Sequence, residues 1–311
     1  MSKYLVTGGA GFVGLNLIHA LSAAGEKVVI YDNLSAAREK YLRDLPNGIK
    51  LVEGDVLDLK EVKKAARSMD YVVHLAGQPS VIKSVKDPAT TLEINATGTL
   101  NVLLAARDAK VKRCIYVGSA AAYGESPSLP KVESMNDAPL SPYGVSTIAA
   151  ENQCRVFFNT YGLQTVVLRA FNLFGPFQET TGPLAPVCGK FITTLMDGKA
   201  PVIAGDGKQS RDFVHVADLI EAIKAACIAP KAEGELFNIG TGSRITINGL
   251  VNMINNILGK EIQPKYEEAH PGDIRHSLAD ITKAQEMLGF RPRTSIMDGI
   301  ESTIEWYRKN K

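Results

Sequence analysis

The stretch Val6–Thr7–Gly8–Gly9–Ala10–Gly11–Phe12–Val13–Gly14 decides the fold of this chain. An apolar run leads into it and an amphipathic pattern leaves it, which predicts a strand, a glycine turn and a helix. Gly8 permits a tight turn, Gly11 lets backbone approach a pyrophosphate, and Gly14 lets the helix lie close to the strand. The amides of the helix N-terminus then face the phosphates.

A second predicted strand, Lys27 to Tyr31, ends at Asp32, 18 residues beyond Gly14. An acidic side chain at this place accepts hydrogen bonds from both ribose hydroxyls of NAD, and it repels the 2′-phosphate of NADP. A plain strand–helix turn has no use for three glycines and the acid together. The order of strand, glycines, helix, strand and acid therefore predicts that NAD is the cofactor.

The composition predicts an ordinary globular protein, since 45% of the 311 residues are hydrophobic and the net charge is only +2. That charge gives no electrostatic case for nucleic acid or a membrane surface, and no apolar run reaches the ~18–20 residues of a membrane span. The first predicted strand begins too early for a signal peptide. Neither the four scattered cysteines nor the five histidines have metal-ligand spacing. We expect a cytoplasmic protein with reduced thiols and no metal.

Strand and helix signals alternate from residue 1 to about 172, which predicts a parallel sheet with right-handed crossovers. Ligands bind at the carboxyl ends of such strands. The residues that follow the predicted strands are Gly8–Gly14, Asp32, Asp55, Ala76–Gln78, Ser119, Phe171 and Asn172. We expect them to line one site.

The alternation breaks beyond Asn172, although residues 216–228 are predicted to form a helix and 236–239 a strand that return to the sheet. The fold class is therefore α/β, a Rossmann-type doubly wound parallel sheet with a smaller C-terminal substrate lobe. We predict a nucleotide-binding domain at 1–172, with returning segments at about 211–240. The substrate lobe then takes 173–210 and 241–311.

With these residues in place, the chain resembles the NAD-dependent nucleotide-sugar epimerases of the extended short-chain dehydrogenase/reductase family, which include UDP-glucose and UDP-N-acetylglucosamine 4-epimerases. The resemblance spans essentially the whole length. The motifs that carry it are Thr7–Gly14, Asp32–Asn33, Gly54–Asp55–Val56, Ser119 to Gly124, Ser141–Pro142–Tyr143, Arg169 to Asn172, Arg211–Asp212–Phe213, Pro271–Gly272–Asp273, Leu129 to Glu133 and Asp273 to Asp280.

The resemblance implies reversible oxidation at carbon 4 of a UDP-hexose. Tyr143, as phenolate, takes the proton of the sugar 4-hydroxyl while hydride passes to NAD+, and Ser119 hydrogen-bonds the same hydroxyl. The 4-keto sugar turns over and the hydride returns to its other face. A small Ser277 leaves space for an N-acetyl group, so both the glucose/galactose pair and the N-acetylated pair are expected substrates.

The resemblance also implies which residues line the two ligands. The cofactor residues are Gly8, Gly11, Phe12, Val13, Gly14, Asp32, Asn33, Asp55, Val56, Leu75, Ala76, Gly77, Gln78, Asn95, Tyr143, Thr147 and Phe171. The substrate residues are Ser119, Tyr143, Asn172, Val202, Arg211, His270, Asp273 and Ser277. Asp55 has a second interpretation, as the N-cap of a helix that begins near Leu59.

Thr147 departs from the family pattern, which places a lysine four residues after the tyrosine. A lysine ammonium there would hold the nicotinamide ribose and favour the phenolate, whereas threonine supplies one hydrogen bond and no charge. An unperturbed tyrosine has a pKa near ~10 and is mostly protonated at neutral pH. Thr147 is therefore an engineered substitution, a natural one with another cation in its place, or the mark of a protein that binds without turnover.

Two further positions bear on the substrate and the reaction. His270 stands where the epimerases have an arginine, so Arg211 is the candidate diphosphate clamp, with Arg275 and His270 either supplementing it or forming a solvated polar turn. Ala120 and Ala121 replace the acidic pair of the 4,6-dehydratases, which argues against dehydration. A nucleotide-sugar dehydrogenase or reductase remains open as an alternative.

Helices 88–108 and 142–161 carry more apolar residues than one sheet face needs. In the resembling family these two helices pair with their symmetry mates. We expect a homodimer.

Overall fold

A computed structural model of the chain describes residues 1–180, 185–269 and 274–310. Its strands are β1 (Lys3–Thr7), β2 (Lys27–Asp32), β3 (Lys50–Glu53), β4 (Tyr71–His74), β5 (Arg113–Ser119), β6 (Thr165–Ala170), β7 (Leu173–Phe174), β8 (Val202–Ala204), β9 (Ser210–Arg211), β10 (Val214–His215), β11 (Leu236–Ile239), β12 (Ile245–Thr246) and β13 (Lys265–Glu267).

The helices alternate with the strands in the first half of the chain, as the sequence predicts. They are α1 (Phe12–Ala23), α2 (Glu39–Arg43), α3 (Leu59–Ala66), α4 (Val81–Lys86), α5 (Pro88–Leu92), α6 (Gly98–Asp108), α7 (Pro142–Tyr161), α8 (Val187–Met196), α9 (Val216–Ile228), α10 (Ile247–Leu258), α11 (Thr282–Leu288) and α12 (Ile296–Lys309). The single helix expected over 88–108 is interrupted, because a π-helical turn at Glu93–Thr97 joins α5 to α6.

Seven parallel strands form one sheet in the order β3-β2-β1-β4-β5-β6-β11, which confirms the Rossmann-type doubly wound fold. The order reverses between β1 and β4, and ligands of such sheets bind at this crevice. The predicted return of the chain is also confirmed, since β11 pairs with β6.

Each face of the sheet is covered by its own helices, so the central strands β4, β5 and β6 are buried on both sides, whereas the edge strand β3 is largely exposed. In β1, Tyr4 and Val6 lie in the core that contains α1, α9 and α11. Leu5 points the other way, into the core beneath α3, α6 and α7, because successive strand residues face opposite sides.

A third core gathers apolar residues of α8, α10 and α12 away from the sheet. The boundaries of the C-terminal lobe stay a prediction. Residues 279–290 pack in the sheet core beside α9, although they lie within the segment expected to form the lobe. No helix among the described residues is long and apolar enough to cross a membrane.

Candidate active site

The glycine turn has the geometry that its three mechanical roles require. Gly8 has φ +68°, and a Cβ there would lie 2.5 Å from the backbone nitrogen of Ala76. A Cβ on Gly14 would lie 2.5 Å from the Cα of Gly9, so only glycine lets α1 approach so closely. At Gly11 the nearest atom is 3.3 Å away, which leaves this position open on the side expected to face a ligand. Phe12 and Val13 follow in the first turn of α1, whose amides have no intrahelical acceptor.

The carboxylate of Asp32 braces the turn from the end of β2. One oxygen accepts a hydrogen bond from the amide of Ala10 at 2.9 Å, and the other accepts from Leu34 at 2.8 Å. Burial raises the pKa of Asp32, while the two amide bonds oppose that rise. The acid therefore lies beside the glycine turn, at the place where the sequence expects it to meet a ribose.

Asn33 and Asp55 meet at the ends of β2 and β3. The Asn33 amide donates to one Asp55 oxygen at 2.8 Å, and the Leu57 amide donates to the other at 2.9 Å. The alternative role of Asp55 as a helix cap is wrong, because Asp58 accepts from the amides of Lys60 and Glu61 at the start of α3. Val56 is buried beneath α6, where it contacts the Gly98 position.

Asn95 holds the segment that follows β4. Its side chain accepts from the Gln78 amide at 2.7 Å and donates to the Gln78 carbonyl at 3.1 Å. Its second amide proton goes to the Ser146 hydroxyl at 2.9 Å. Since both amide protons are used within the chain, Asn95 organises the predicted cofactor segment Leu75–Gln78 and has no side-chain proton left for NAD.

Phe171 is a predicted cofactor residue whose side chain is buried in the sheet core. Its ring lies 6.2 Å from that of Tyr123, and its amide bonds to the Ile239 carbonyl at 2.9 Å. Its neighbour Asn172 donates to the Asp212 carbonyl at 2.9 Å. Because the Phe171 ring is buried in the core, we expect Phe171 to contact a cofactor only through its backbone.

Ser119 and Tyr143 come together from the end of β5 and the start of α7. Pro142 stands in the first turn of the helix, and Ser141 caps it by accepting from the Gly144 amide at 3.1 Å. Burial raises the pKa of Tyr143, a hydrogen bond with Ser119 lowers it, and the charge of Glu151 raises it. The hydroxyl and the phenol are therefore neighbours, called here the Ser119–Tyr143 couple, and their catalytic roles stay a prediction.

Thr147 is buried one turn beyond Tyr143, and its hydroxyl donates to the Gly144 carbonyl at 2.8 Å. The proton that threonine offers in place of a lysine charge is therefore already used by the helix backbone. Within residues 1–180, 185–269 and 274–310, no lysine or arginine lowers the pKa of Tyr143.

A buried ion pair behind the couple was not predicted from the sequence. The Arg169 guanidinium bonds to both oxygens of Glu151 and to Asp137, and the side chains of Arg169 and Glu151 are 4% and 6% exposed. Burial acts against the charge of Arg169, but the bonds to Glu151 outweigh it and raise its pKa. An arginine within an apolar strand and a glutamate on the buried face of a helix were the available signals.

The residues expected to bind substrate divide between described and undescribed parts of the chain. Arg211 lies next to Arg275, since its guanidinium donates to the Ser210 carbonyl at 3.0 Å and to the Arg275 carbonyl at 3.3 Å. The amide of Ser277 bonds to the same Ser210 carbonyl at 3.0 Å. Val202 opens β8 with its side chain partly exposed. His270 and Asp273 lie outside the described residues.

The Arg275 side chain has a partner of its own. It forms two 2.9 Å bonds with Asp206 in the tight turn after β8, and they lower the pKa of that carboxyl to about 2. Its guanidinium is therefore committed to the protein. In the described ranges, no three His, Cys, Asp or Glu side chains are grouped so as to hold a metal ion.

Comparison with known proteins agrees with this geometry. Residues 4–240 match the NAD dependent epimerase/dehydratase family. A UDP-glucose 4-epimerase of Mycolicibacterium smegmatis is 35% identical over 98% of both chains. Among solved structures, a Methanobrevibacter ruminantium UDP-N-acetylglucosamine 4-epimerase in complex with UDP-N-acetylmuramic acid has a TM-score of 0.95 at 35% identity, covering 100% of this chain and 99% of that one.

A Thermotoga maritima UDP-glucose 4-epimerase with UDP-glucose has a TM-score of 0.94 at 35% identity, covering 99% of both chains. Fold and site together define a Rossmann-type oxidoreductase-like enzyme of the extended short-chain dehydrogenase/reductase class. Within that class, the chain belongs to the NAD-dependent epimerase/dehydratase family, and NAD is its cofactor.

Proposed function

We propose that the chain interconverts the two carbon-4 epimers of a UDP-hexose, with the sugar passing through a transient 4-keto form. The observation that carries this proposal is the Ser119–Tyr143 couple, which joins the end of β5 to the start of α7 in the same sheet that carries the glycine turn after β1. The epimerase relatives at 35% identity support it.

The residues present fit a dinucleotide. Gly11 leaves its surface open for a diphosphate, and Asp32 lies beside the turn to accept ribose hydroxyls. Phe12 and Val13 add helix N-terminal amides. NAD, when bound, supplies the acceptor and the source of the hydride.

The protein's own part in the proposed reaction is proton transfer. Tyr143 as phenolate removes the proton of the 4-hydroxyl, and Ser119 keeps that hydroxyl within reach. The proton returns from Tyr143 when the 4-keto sugar is reduced on its other face. Arg211 is the proposed clamp on the diphosphate, with Asn172, Val202, His270, Asp273 and Ser277 around the rest of the substrate.

The acceptance of N-acetylated sugars rests on Ser277. A serine side chain is small, and its backbone is tied to Ser210 at the edge of the lobe. A small side chain here leaves room for the N-acetyl group without excluding the plain hexose, since a pocket seldom rejects a smaller ligand by more than ~1–3 kcal/mol per methylene-sized gap. Both UDP-glucose/UDP-galactose and their N-acetylated counterparts are proposed substrates.

A second candidate is an impaired enzyme, or a protein that holds NAD and a UDP-sugar without turnover. Thr147 favours it, because its hydroxyl is bonded to Gly144 and it brings no charge to Tyr143. The loss relative to a lysine enzyme would be roughly 10²–10⁴ in turnover.

Incubation of the purified chain with each UDP-sugar, without added cofactor, tests these candidates. Interconversion of the two epimers supports the proposal. Accumulation of reduced nicotinamide with a stable oxidised product supports a dehydrogenase instead, and binding without product supports the noncatalytic candidate.

A homodimer is also part of the proposal. Apolar side chains remain exposed on the two predicted helices, among them Leu92 on α5, Leu100 on α6, and Val145 and Val156 on α7, and α5 and α6 both pack against α7. The corresponding face of a second copy is the proposed occupant, which would bury these side chains in a helical interface.

A further inference from the structure

A buried hydrogen-bond chain begins at Thr7, the residue that enters the glycine turn. Thr7 and His74 are register partners at the ends of β1 and β4, and their Oγ1 and Nδ1 atoms are 2.7 Å apart. The other ring nitrogen, His74 Nε2, lies 2.9 Å from Thr99 Oγ1 on α6. All three side chains are at most 1% exposed, so their polar atoms depend on one another.

The protons of this chain have one consistent arrangement. The Thr99 hydroxyl donates to the Asn95 carbonyl at 2.5 Å, so Thr99 has only lone pairs to offer His74 and must accept from Nε2–H. Burial lowers the pKa of His74 to about 4, which keeps the ring neutral, so Nδ1 accepts from Thr7. The direction of donation therefore runs from Thr7 through His74 and Thr99 to Asn95.

Asn95 continues the chain toward the catalytic helix. It lies in the π-helical turn between α5 and α6, a kind of irregularity frequent at functional sites. Its side-chain amide donates to the Ser146 hydroxyl at 2.9 Å, and Ser146 donates to the Tyr143 carbonyl at 2.8 Å. The same side chain also accepts from the Gln78 amide and donates to the Gln78 carbonyl. Thr7 is thus connected to the backbone of Tyr143 by successive hydrogen bonds, with Asn95 joining the two halves because its backbone carbonyl accepts from Thr99 and its side chain donates to Ser146.

We propose that His74, Thr99, Asn95 and Ser146 are positioning residues, which fix Tyr143 relative to the glycine turn and so set the place of the phenol against the cofactor. This inference rests on the proposed role of Tyr143. The two parts of the site come from distant parts of the chain, and a fully satisfied buried network gives them one arrangement. A displacement of about 1 Å at such a site can cost roughly 100-fold in rate.

The test removes one hydrogen bond of this network, at Thr99, which is not among the residues predicted to contact a ligand. Thr99→Val removes the hydroxyl, Thr99→Ser keeps it, and Thr303→Val is the matched control. Thr303 is also fully buried and donates to the carbonyl four residues back, 2.6 Å away, but it lies in α12. We expect Thr99→Val to lower kcat by roughly 10- to 100-fold with the sugar-nucleotide KM little changed, Thr99→Ser to recover most of that loss, and Thr303→Val to keep the wild-type kcat.

Hydrogen exchange gives a readout that does not need turnover. In Thr99→Val the amides of Gln78 and of the first turn of α7 should exchange faster than in wild type, while in Thr303→Val they should not. Ser146→Ala breaks the last link and should lower kcat in the same way. Its control is Ser84→Ala, since Ser84 is buried and donates to the carbonyl three residues back at 2.6 Å.

An unchanged kcat in Thr99→Val and Ser146→Ala, or an equal loss in Thr99→Ser, overturns the positioning role. An inactive wild type counts against the proposed function instead. In that case the hydrogen-exchange rates still decide whether the hydrogen-bond network holds Gln78 and α7 in place. Unchanged exchange in Thr99→Val overturns the inference.

Discussion

Single residues carry the argument for the cofactor, and the three glycines do so in different ways. Gly8 and Gly14 are constrained by backbone atoms of the protein itself, whereas Gly11 has the most open surroundings of the three. The roles of Gly8 and Gly14 were predictable from the motif because it describes backbone geometry. The sequence did not predict that the Thr147 hydroxyl and the Asn95 side-chain amide donate to other groups of the protein, because hydrogen-bond partners depend on the folded structure.

Gly11→Ala is expected to weaken NAD binding strongly while the protein stays folded. The added methyl group meets only the Gly8 carbonyl, at 3.3 Å, and otherwise occupies the space proposed for the diphosphate. We expect the free energy of unfolding of the cofactor-free protein to change by about 1 kcal/mol or less. Calorimetric titration with NAD and denaturant unfolding measure the two effects, and undiminished NAD affinity would contradict the role of Gly11.

Thr147→Lys should move the pH dependence of turnover. In the proposed mechanism Tyr143 acts as phenolate, and burial raises its pKa, so kcat of the wild type should keep rising as the pH rises through the neutral and alkaline range. An ammonium nearby favours the phenolate and lowers its pKa, so the variant should reach its plateau at lower pH, with a gain of about tenfold at neutral pH for each unit of the shift.

The control for this substitution is Thr147→Val, which keeps the shape and adds no charge. Its pH profile should not move to lower pH. Superimposable profiles for Thr147→Lys and wild type, with equal turnover, would mean that the charge is supplied elsewhere or is not needed.

At the scale of elements, the site depends on how strands and helices end. The elements β2, α7, α9 and β11 were predicted to within one residue of their observed bounds, since apolar runs and capping residues mark them. The π turn at Glu93–Thr97 and the short strands β7–β10 were not, because neither has a distinct period in the sequence. Asp58, which caps α3 in place of Asp55, shows that a choice between two nearby acids is made by backbone geometry.

Removal of Glu151 should destabilise the contact between α7 and β6. Glu151→Ala leaves the Arg169 guanidinium buried with Asp137 as its remaining carboxylate. Breaking a buried pair in this way typically costs about 3–5 kcal/mol in the free energy of unfolding. Denaturant unfolding measures the change, and Asp108→Ala serves as the control.

Asp108 pairs with Lys63 and Arg107 on the surface, where the loss of an ion pair costs about 1 kcal/mol or less. Equal losses in the Glu151 and Asp108 variants would show that the buried pair contributes no more than an exposed one.

At the scale of the whole molecule, the doubly wound topology followed from the alternation of strands and helices. The sequence also predicted the return of 236–239 to the sheet. The placing of residues 279–290 in the sheet core was not predicted, because an amphipathic helix does not reveal which core its apolar side meets. How the C-terminal segments divide between the sheet core and the lobe depends on tertiary packing, which the periodicity of the sequence does not specify.

The proposed homodimer gives a direct test at this scale. Val156→Glu places a charge on the exposed face of α7 and should convert the dimer to a monomer in analytical ultracentrifugation. Ile228→Glu is the control, since Ile228 is 72% exposed at the end of α9, on the opposite face of the sheet. A wild-type monomer, or dissociation by both variants alike, would contradict the proposed interface.

The central claim is that the carboxyl edge of one sheet gathers the glycine turn, Asp32 and the Ser119–Tyr143 couple around one bound NAD. Incubation with UDP-galactose deuterated at carbon 4, with no cofactor added, measures this most directly by following the label into UDP-glucose. Our account predicts a UDP-glucose product that retains the deuterium at carbon 4. Loss of the label to solvent, or no product even from Thr147→Lys, would contradict the account.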